Sequence, residues 1–138
     1  MPTLPSDSVC SLAPVFAIQP DQVEAFRRLG EAMLQRTQSE PGCLYYGFCY
    51  DGATARCREG YRDAQALLAH LDNVGDLLEQ AQAIATLERF EVFGAADQLE
   101  QLREPLAALN ARFFVMAEGF RRWPGSASAA APGAAAAP

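Results

Sequence analysis

The chain has 138 residues, a length that suits one domain with a single hydrophobic core. Half of its residues are hydrophobic and a fifth are charged, which is typical of a globular domain rather than a disordered chain. The formal net charge is −6 and the arginines are scattered apart from a few close groups, so the composition argues against nucleic acid as a partner.

Targeting and redox signals are weak. No apolar run approaches the roughly 20 residues that span a bilayer, and the N-terminus lacks the basic and apolar regions of a secretory signal. We therefore expect a cytoplasmic protein with no membrane partner. The four cysteines match no CxxC metal spacing, so we expect reduced thiols and no metal site. Cys43 and Cys49 have the same parity on one predicted strand and would face the same side of it.

The first predicted elements are a strand and an amphipathic helix. The strand covers Val9 to Ile18, where Pro14 cannot donate to a ladder and indicates a bulge or a late start. Asp21 followed by Glu24 resembles a capping box and predicts the start of the helix. The apolar residues of that helix recur at helical spacing: Val23, Phe26, Leu29, Met33 and Leu34.

A β-hairpin follows the turn formed by Glu40, Pro41 and Gly42. Cys43 to Tyr50 is apolar on both parities, which is typical of a strand covered on both faces. Asp51-Gly52 is a strong hairpin signal, and Thr54 to Tyr61 returns as a more polar strand.

The second predicted helix begins after Asp63. Its apolar stripe comprises Ala64, Leu67, Leu68, Leu71, Val74, Leu78 and Ala81. His70 falls beside this stripe rather than at its centre, and Gly75 is a candidate for a bend.

The remaining predicted elements are a strand from Thr86 to Phe93, a helix from Ala96 to Leu109 that Pro105 kinks or shortens, and a last strand from Phe113 to Phe120. Residues 124–138 are only Pro, Gly, Ser and Ala and predict a flexible tail. The expected division is an N-terminal arm over 1–8, a domain over 9–122 and a disordered Ala/Pro-rich tail over 123–138.

The order β-α-β-β-α-β predicts an α+β fold of the ferredoxin-like split βαβ type, with an antiparallel sheet and a C-terminal helix-strand extension. Helices would cover one face of the sheet. The aromatic hairpin strand makes a bare second face unfavourable, so we expect a homodimer formed through that face.

Two segments resemble the antibiotic biosynthesis monooxygenase (ABM) family. Ser39 to Gly47, reading SEPGCLYYG, is similar to the family's junction between first helix and second strand. The run from Glu59 through Tyr61, Asp63, Ala66 and Leu67 to His70 is similar to its "E-x-[WY]-x-d-x-x-A-L-x-x-H" stretch. The resemblance covers roughly residues 9–94.

The resemblance implies a dimeric α/β barrel with a pocket between each sheet and its helices. Some relatives oxidise aromatic substrates with oxygen and without metal or flavin, while others degrade heme. The heme-degrading relatives use an Asn on the first strand and a Trp near the His-bearing helix. Here the strand from Val9 to Ile18 has no Asn and the single Trp is Trp123, so heme degradation is disfavoured.

The candidate catalytic residues are His70 and Glu59. His70 is the sole histidine, and an imidazole beside a pocket suits proton transfer. Glu59 on an inward face would need a partner; a pair with His70 would orient the imidazole and favour its charged form. The alternative for both is a purely structural hydrogen bond.

The candidate substrate-binding residues are Tyr61, Tyr46, Cys57 and Arg58. The tyrosines can line an aromatic pocket, although aromatic residues on strands belong more often to a core or interface. Arg58 can hold an anion or simply face solvent, and Cys57 is reactive only if its pKa is depressed.

The leading function is a cofactor-independent oxygenase acting on a small aromatic or quinol-like molecule. The alternative is a non-catalytic dimeric ligand-binding or accessory protein on the same scaffold. Convergence of His70 and Glu59 on an open cavity of roughly a few hundred Å³ would distinguish the first from the second.

Overall fold

The computed structural model describes residues 7–122, so the predicted tail, Trp123 and most of the predicted N-terminal arm lie outside the described residues. The strands are β1 (Cys10–Ile18), β2 (Cys43–Asp51), β3 (Thr54–Tyr61), β4 (Ala85–Gly94) and β5 (Arg112–Val115). The helices are α1 (Val23–Thr37), α2 (Ala64–Ile84) and the short α3 (Ala96–Glu100), with 3-10 turns at Pro20–Gln22 and Ala107–Leu109. The predicted α+β, ferredoxin-like fold is confirmed.

The five strands form one sheet in the order β2-β3-β1-β4-β5. The first four pair antiparallel, as predicted, but β5 runs parallel to β4. A parallel neighbour needs a long crossover, and residues 95–111 supply it through α3 and a series of turns. The extension therefore makes the sheet mixed rather than purely antiparallel, and its strand ends at Val115 instead of Phe120.

β1 passes straight through Pro14, which pairs with Phe90 of β4. On the other side, the ladder to β3 pairs Leu12 with Glu59 and resumes at Val15. The interruption between those pairs accommodates the missing proline N–H. A register shift with β4 follows directly, between Val15 and Phe16, so the irregularity that Pro14 predicted is present while the late start is not.

The predicted cap of α1 is wrong. Pro20 opens a 3-10 turn, which leaves Asp21 inside that turn, and α1 begins at Val23 with no side-chain cap hydrogen bond from Gln22. The buried face of α1 consists of Phe26, Gly30, Met33 and Thr37. Leu34, expected in the apolar stripe, is 39% exposed.

The β2–β3 hairpin turns at Gly52, whose φ of 58° is a conformation that favours glycine. A register shift between Cys43 and Tyr45 leaves Leu44 as an extra residue in β2. Cys43 consequently faces the helices opposite buried Tyr61, whereas Cys49 is exposed on the other face. The expectation that these cysteines share a face was wrong because the bulge reverses the parity. All four cysteines are free thiols.

β2 is an edge strand, and none of the elements formed by residues 7–122 covers its second face. We call the sheet surface away from the helices the outer face. It carries exposed large apolar side chains from three strands: Tyr45, Phe93 and Phe114.

α2 begins at Asp63, whose carboxylate accepts a hydrogen bond from the Ala66 N–H at 2.8 Å, as predicted. The helix continues without a break through Gly75 to Ile84. Its buried face consists of Ala64, Leu67, His70, Val74, Leu77 and Ala81. His70 is thus in the middle of the buried face, not at its edge, and Leu68, Leu71 and Leu78 flank it half-buried.

The core has two apolar clusters on either side of Glu59 and His70. On β3, Cys57 belongs to one cluster and Tyr61 to the other. On α2, Val74 and Leu67 divide in the same way. The polar pair therefore lies at the junction of the two clusters.

The C-terminal extension completes the second cluster with Leu99, Leu102 and Leu106. The predicted helix from Ala96 to Leu109 is shortened before Pro105, and only its first turn is α-helical. None of the helices within residues 7–122 has the length and apolarity needed to span a bilayer.

Candidate functional site

β3 and α2 bring Glu59 and His70 face to face in the interior, where the two residues are 4% and 2% exposed. The Nε2 of His70 lies 3.6 Å from Oε1 of Glu59, which is ion-pair distance but too long for a good hydrogen bond. The same Oε1 accepts a hydrogen bond from the Tyr61 hydroxyl at 2.6 Å. The three residues that sequence analysis singled out from the second family-like segment thus form one contact group.

A second carboxylate, Glu40, holds the other side of the imidazole. The Nδ1 of His70 lies 3.0 Å and 3.1 Å from the two oxygens of Glu40. Asn73, one turn further along α2, donates from its side chain to Oε2 of Glu40 at 2.7 Å. Sequence analysis used Glu40 only as part of a turn and missed this contact. The signal that could have identified Glu40 as a site residue is its position in the other family-like segment, Ser39 to Gly47.

The turn that carries Glu40 is pressed against α2 at Gly42. A Cβ added to Gly42 would lie 2.5 Å from the Cβ of Ala66, so no larger residue fits without displacement. The Arg62 N–H donates to the Gly42 carbonyl at 2.9 Å and fixes the turn to the end of β3. Ala66 and His70 are four residues apart and share a helix face, so this close approach brings Glu40 to the imidazole.

Burial determines the protonation of the group. It raises the pKa of Glu59 to about 7, although hydrogen bonds from Tyr61 and Cys57 oppose the rise. Burial also lowers the pKa of His70 below its ordinary value, against the opposing effect of the Glu40 carboxylate. The expected charged imidazole is therefore not favoured, because desolvation outweighs the neighbouring charge.

The raised pKa of Glu59 and the lowered pKa of His70 together favour one arrangement of protons near neutral pH. A carboxylate only accepts, so Nδ1 carries the proton that His70 donates to Glu40. The unprotonated Nε2 then faces Glu59, whose raised pKa favours the carboxylic acid. Glu59 and His70 together are poised to gain or lose a single proton close to pH 7.

A cavity of about 20 Å³ adjoins this pair. Such a volume holds about one water molecule. The cavity beside Glu59 and His70 is therefore far smaller than the expected few hundred Å³. The wall of the 20 Å³ cavity includes the two candidate catalytic residues. It also includes side chains of β2, β3 and α1, among them Tyr46, Phe48, Cys57 and Met33.

The predicted substrate-binding residues divide between the two faces of the sheet. Tyr46 and Cys57 line the interior cavity, and burial raises the pKa of both side chains. The Cys57 thiol is thus held in its unreactive form. Tyr61 is buried with its hydroxyl on Glu59. Arg58, paired with Gly47, is exposed on the outer face and does not reach the cavity.

Larger spaces lie at the surface. Two adjoining cavities of about 300 Å³ and 230 Å³ follow the gap between α1 and β2, and we call them together the α1–β2 groove. Tyr46 lines both of them as well as the interior cavity. A further cavity of about 440 Å³ lies on the outer face beside Tyr45 and Phe93.

Within residues 7–122 no three His, Cys, Asp or Glu side chains are grouped so as to hold a metal ion. Every buried side-chain nitrogen or oxygen in the same range has a hydrogen-bond partner. Within this range the longest of the polar contacts around His70 is the one between its Nε2 and Glu59, at 3.6 Å.

Known proteins share both the sequence pattern and the fold. The sequence profile of the family described as antibiotic biosynthesis monooxygenase matches residues 13–85. The crystal structure of MupZ from Pseudomonas fluorescens is 41% identical, with a TM-score of 0.79, and the match covers 83% of this chain and 94% of MupZ. Comparison with curated protein sequences gives no match.

More distant structures share the fold. Rv0793 from Mycobacterium tuberculosis is 27% identical with a TM-score of 0.55, over 62% of this chain and 90% of Rv0793. A structure described as an antibiotic biosynthesis monooxygenase is 20% identical with a TM-score of 0.54, over 60% of this chain and 92% of that protein. At 20% identity, the similarity to this second structure concerns the fold alone.

Proposed function

Because the chain belongs to the antibiotic biosynthesis monooxygenase family, we propose that it oxidises a small aromatic, phenol- or quinol-like molecule with molecular oxygen. The observation that carries the proposal is the buried imidazole of His70. Glu40 holds its Nδ1 at 3.0 Å, and its Nε2 faces Glu59 beside the interior cavity. An imidazole that is held at one ring nitrogen and is unprotonated at the other can accept the proton of a phenol.

The proposed role of the pair is to take a proton and return it. Glu59 and His70 accept the proton of the substrate hydroxyl, since the pKa of Glu59 near 7 suits a base at neutral pH. The electron-rich anion passes one electron to oxygen, and the two radicals combine to form a carbon–oxygen bond. The pair then protonates the peroxide. Where the reacting carbon is a CH₂ group, its hydroperoxide then loses water and becomes a carbonyl. One oxygen atom of O₂ stays in the product, and the other leaves as water together with two hydrogens.

The proposed assembly is a homodimer formed through the outer face. That face carries Tyr45, Phe93 and Phe114 at 36% to 38% exposure, and the rings of Phe93 and Phe114 stack 5.3 Å apart. Contiguous apolar surface of this kind is unfavourable in water unless a second surface covers it. The same patch on a second copy provides a matching cover.

One observation favours the alternative of a non-catalytic ligand-binding or accessory protein. The interior cavity of about 20 Å³ admits no aromatic molecule as it stands. In that case the contacts of His70 with Glu40 and Glu59 would have a structural role and would join the turn after α1, α2 and β3.

Oxygen uptake with a panel of quinols and polycyclic phenols tests the proposal. We expect the parent to consume oxygen with at least one of them and His70→Ala to be slower by about 10² or more. Gln65→Ala is the matched control, because Gln65 is exposed on the same helix and contacts Gln101 instead. Equal rates for parent and His70→Ala would remove His70 from the mechanism. Absence of uptake with every compound would favour the accessory protein.

A further inference from the structure

We propose that the α1–β2 groove binds the planar ring system of the substrate and that Tyr46 is the gate between this groove and His70. This inference rests on the proposed function and names the substrate class and the route by which it reaches the site. The class is a planar phenol whose anionic substituent contacts Arg27 at one end of the groove.

The first step of the argument is size. Small-molecule pockets measure roughly 300 to 1,000 Å³. The interior cavity, at about 20 Å³, is far below that range, whereas the two parts of the groove measure about 300 Å³ and 230 Å³. The groove is therefore the space near His70 that can hold a ring system.

The second step is position. Tyr46 borders the interior cavity and both parts of the groove. Its ring lies 5.0 Å from the imidazole of His70, centre to centre, and it sits opposite Glu59 on the neighbouring strand. Tyr46 is thus the side chain that borders all three spaces, whereas Phe48 borders the interior cavity and only one part of the groove.

The third step concerns how firmly Tyr46 is held. Its hydroxyl donates to the sulfur of Met33 at 3.7 Å, which is a weak hydrogen bond, and it also interacts with the hydroxyl of Thr37. Its ring meets Phe48 edge-on at 5.6 Å. Rotation toward the groove would exchange the weak sulfur contact and the Thr37 contact for water, and would join the interior cavity to the larger space outside.

The fourth step is chemistry. Phe48 and Tyr50 present nearly parallel rings, 17° apart, along the β2 wall of the groove. Leu34 of α1 contributes an apolar side chain that is 39% exposed. Arg27 places its guanidinium 4.0 Å above the ring of Tyr50 at one end. A flat aromatic ring fits against these walls, and its anionic substituent fits the arginine.

The groove is tested first by binding, without any reaction. The probes are 1-naphthol and 1-hydroxy-2-naphthoic acid, titrated by fluorescence. We expect Leu34→Trp, which fills the groove, to weaken both probes at least tenfold. Gln80→Trp places the same bulk on the exposed face of α2 and should leave binding unchanged. We expect Arg27→Gln to weaken only the carboxylate probe. Unchanged binding in Leu34→Trp, or no binding to the parent, would overturn the groove as the site.

The gate is tested by contacts between the probe and His70. Nuclear Overhauser effects from naphthol protons to the imidazole C–H protons should be weak in the parent and in Tyr46→Phe, and strong in Tyr46→Ala. Tyr46→Leu repeats the opening with more of the packing volume retained, in case the alanine variant unfolds. If neither opened variant brings the probe closer to His70 than in the parent, Tyr46 is not the gate.

These outcomes separate the inference from the oxygenase proposal. Binding and imidazole contacts with no oxygen uptake would exclude the chemistry and leave the groove and gate in place. Oxygen uptake that survives in Leu34→Trp would support the chemistry and exclude the groove as the route.

Discussion

Glu40 and His70 meet at 3.0 Å, although one ends the turn after α1 and the other lies in the middle of α2. The contact fixes which ring nitrogen carries the proton, and so leaves the other nitrogen available toward Glu59. Glu40 thus orients the imidazole, and Glu59 lies at ion-pair distance from its other nitrogen.

We therefore expect Glu40→Gln to lower kcat for oxygen uptake by roughly tenfold or more, because the imidazole loses a partner that can only accept and a charge that raises its pKa. Its tautomer should become mixed, since a glutamine amide can also donate to Nδ1. Steady-state kinetics and ¹⁵N shifts of the imidazole measure the two effects. Glu79→Gln removes the same charge from the exposed face of α2 and serves as control. An unchanged tautomer together with unchanged kcat would contradict an orienting role.

Glu59 should make the protein less stable as the pH rises toward 8. Its pKa is about 7 in the folded chain against an ordinary 4.5, so between these values the folded state binds more protons than the unfolded state. The free energy of unfolding then falls with rising pH, by at most about 3 kcal/mol for this group alone.

The lowered pKa of His70 acts in the opposite sense, because its unfolded form binds more protons below pH 6.5. The decline due to Glu59 should accordingly be clearest between about pH 6.5 and 8. Burial raises the pKa of Cys57 and of Tyr61, which also adjoin the pair, so both side chains titrate above that window and do not mask the decline. Urea unfolding of the parent and Glu59→Gln measures the effect: the variant should lack the decline, and parallel profiles would refute the buried acid.

Gly42→Ala should be destabilising by about 1 to 3 kcal/mol, because the new methyl group would overlap Ala66 of α2. The turn would move away from the helix and carry Glu40 off the imidazole. Urea unfolding gives the first effect, and the ¹⁵N shifts of His70 give the second.

Gly75→Ala is the matched control for that change. It adds the same methyl group within α2, where nothing lies within 4 Å. Since alanine is a better helix former than glycine, we expect a gain of about 0.5 to 1 kcal/mol. Equal stability of the two variants would mean that the turn is not pressed against α2.

Phe93→Arg should convert the proposed dimer into a monomer, because it places a charge in the centre of the apolar outer face. Leu34→Arg makes a similar change at a similar exposure on the helical side and should leave the mass in solution unchanged. Sedimentation equilibrium of the three proteins gives the answer. A parent that sediments as a monomer, or a Phe93→Arg protein that remains dimeric, would contradict assembly through the outer face.

The periodic parts of the chain were predictable from sequence. An apolar, aromatic-rich run and the Asp51-Gly52 turn predicted the β2–β3 hairpin, and Asp63 correctly predicted the start of α2. These features depend on interactions within a few residues. The errors arose where a distant contact or one irregular residue decides the geometry. The extra Leu44 in β2 reverses the parity of Cys43, and Pro20 draws Asp21 into a 3-10 turn.

The candidate site was predictable only in part, for the same reason. Glu59, Tyr61 and His70 occupy neighbouring positions on adjoining elements, so sequence spacing could suggest that they meet. The Glu40 contact depends on how closely the turn approaches α2, which no local pattern encodes. The small size of the interior cavity depends on the packing of side chains from six elements, which no local pattern encodes either.

The approach of Gly42 to Ala66 has a consequence for how this protein can be recombined with its relatives. One family-like segment supplies Gly42 and Glu40, and the other supplies the residues they contact, Ala66 and His70. A chimera that exchanges only one of the two segments separates surfaces that fit each other and risks steric overlap at one contact and a lost partner at the other. Crossover points should therefore keep residues 39–47 and 59–70 from the same parent, and fall in β4 or beyond.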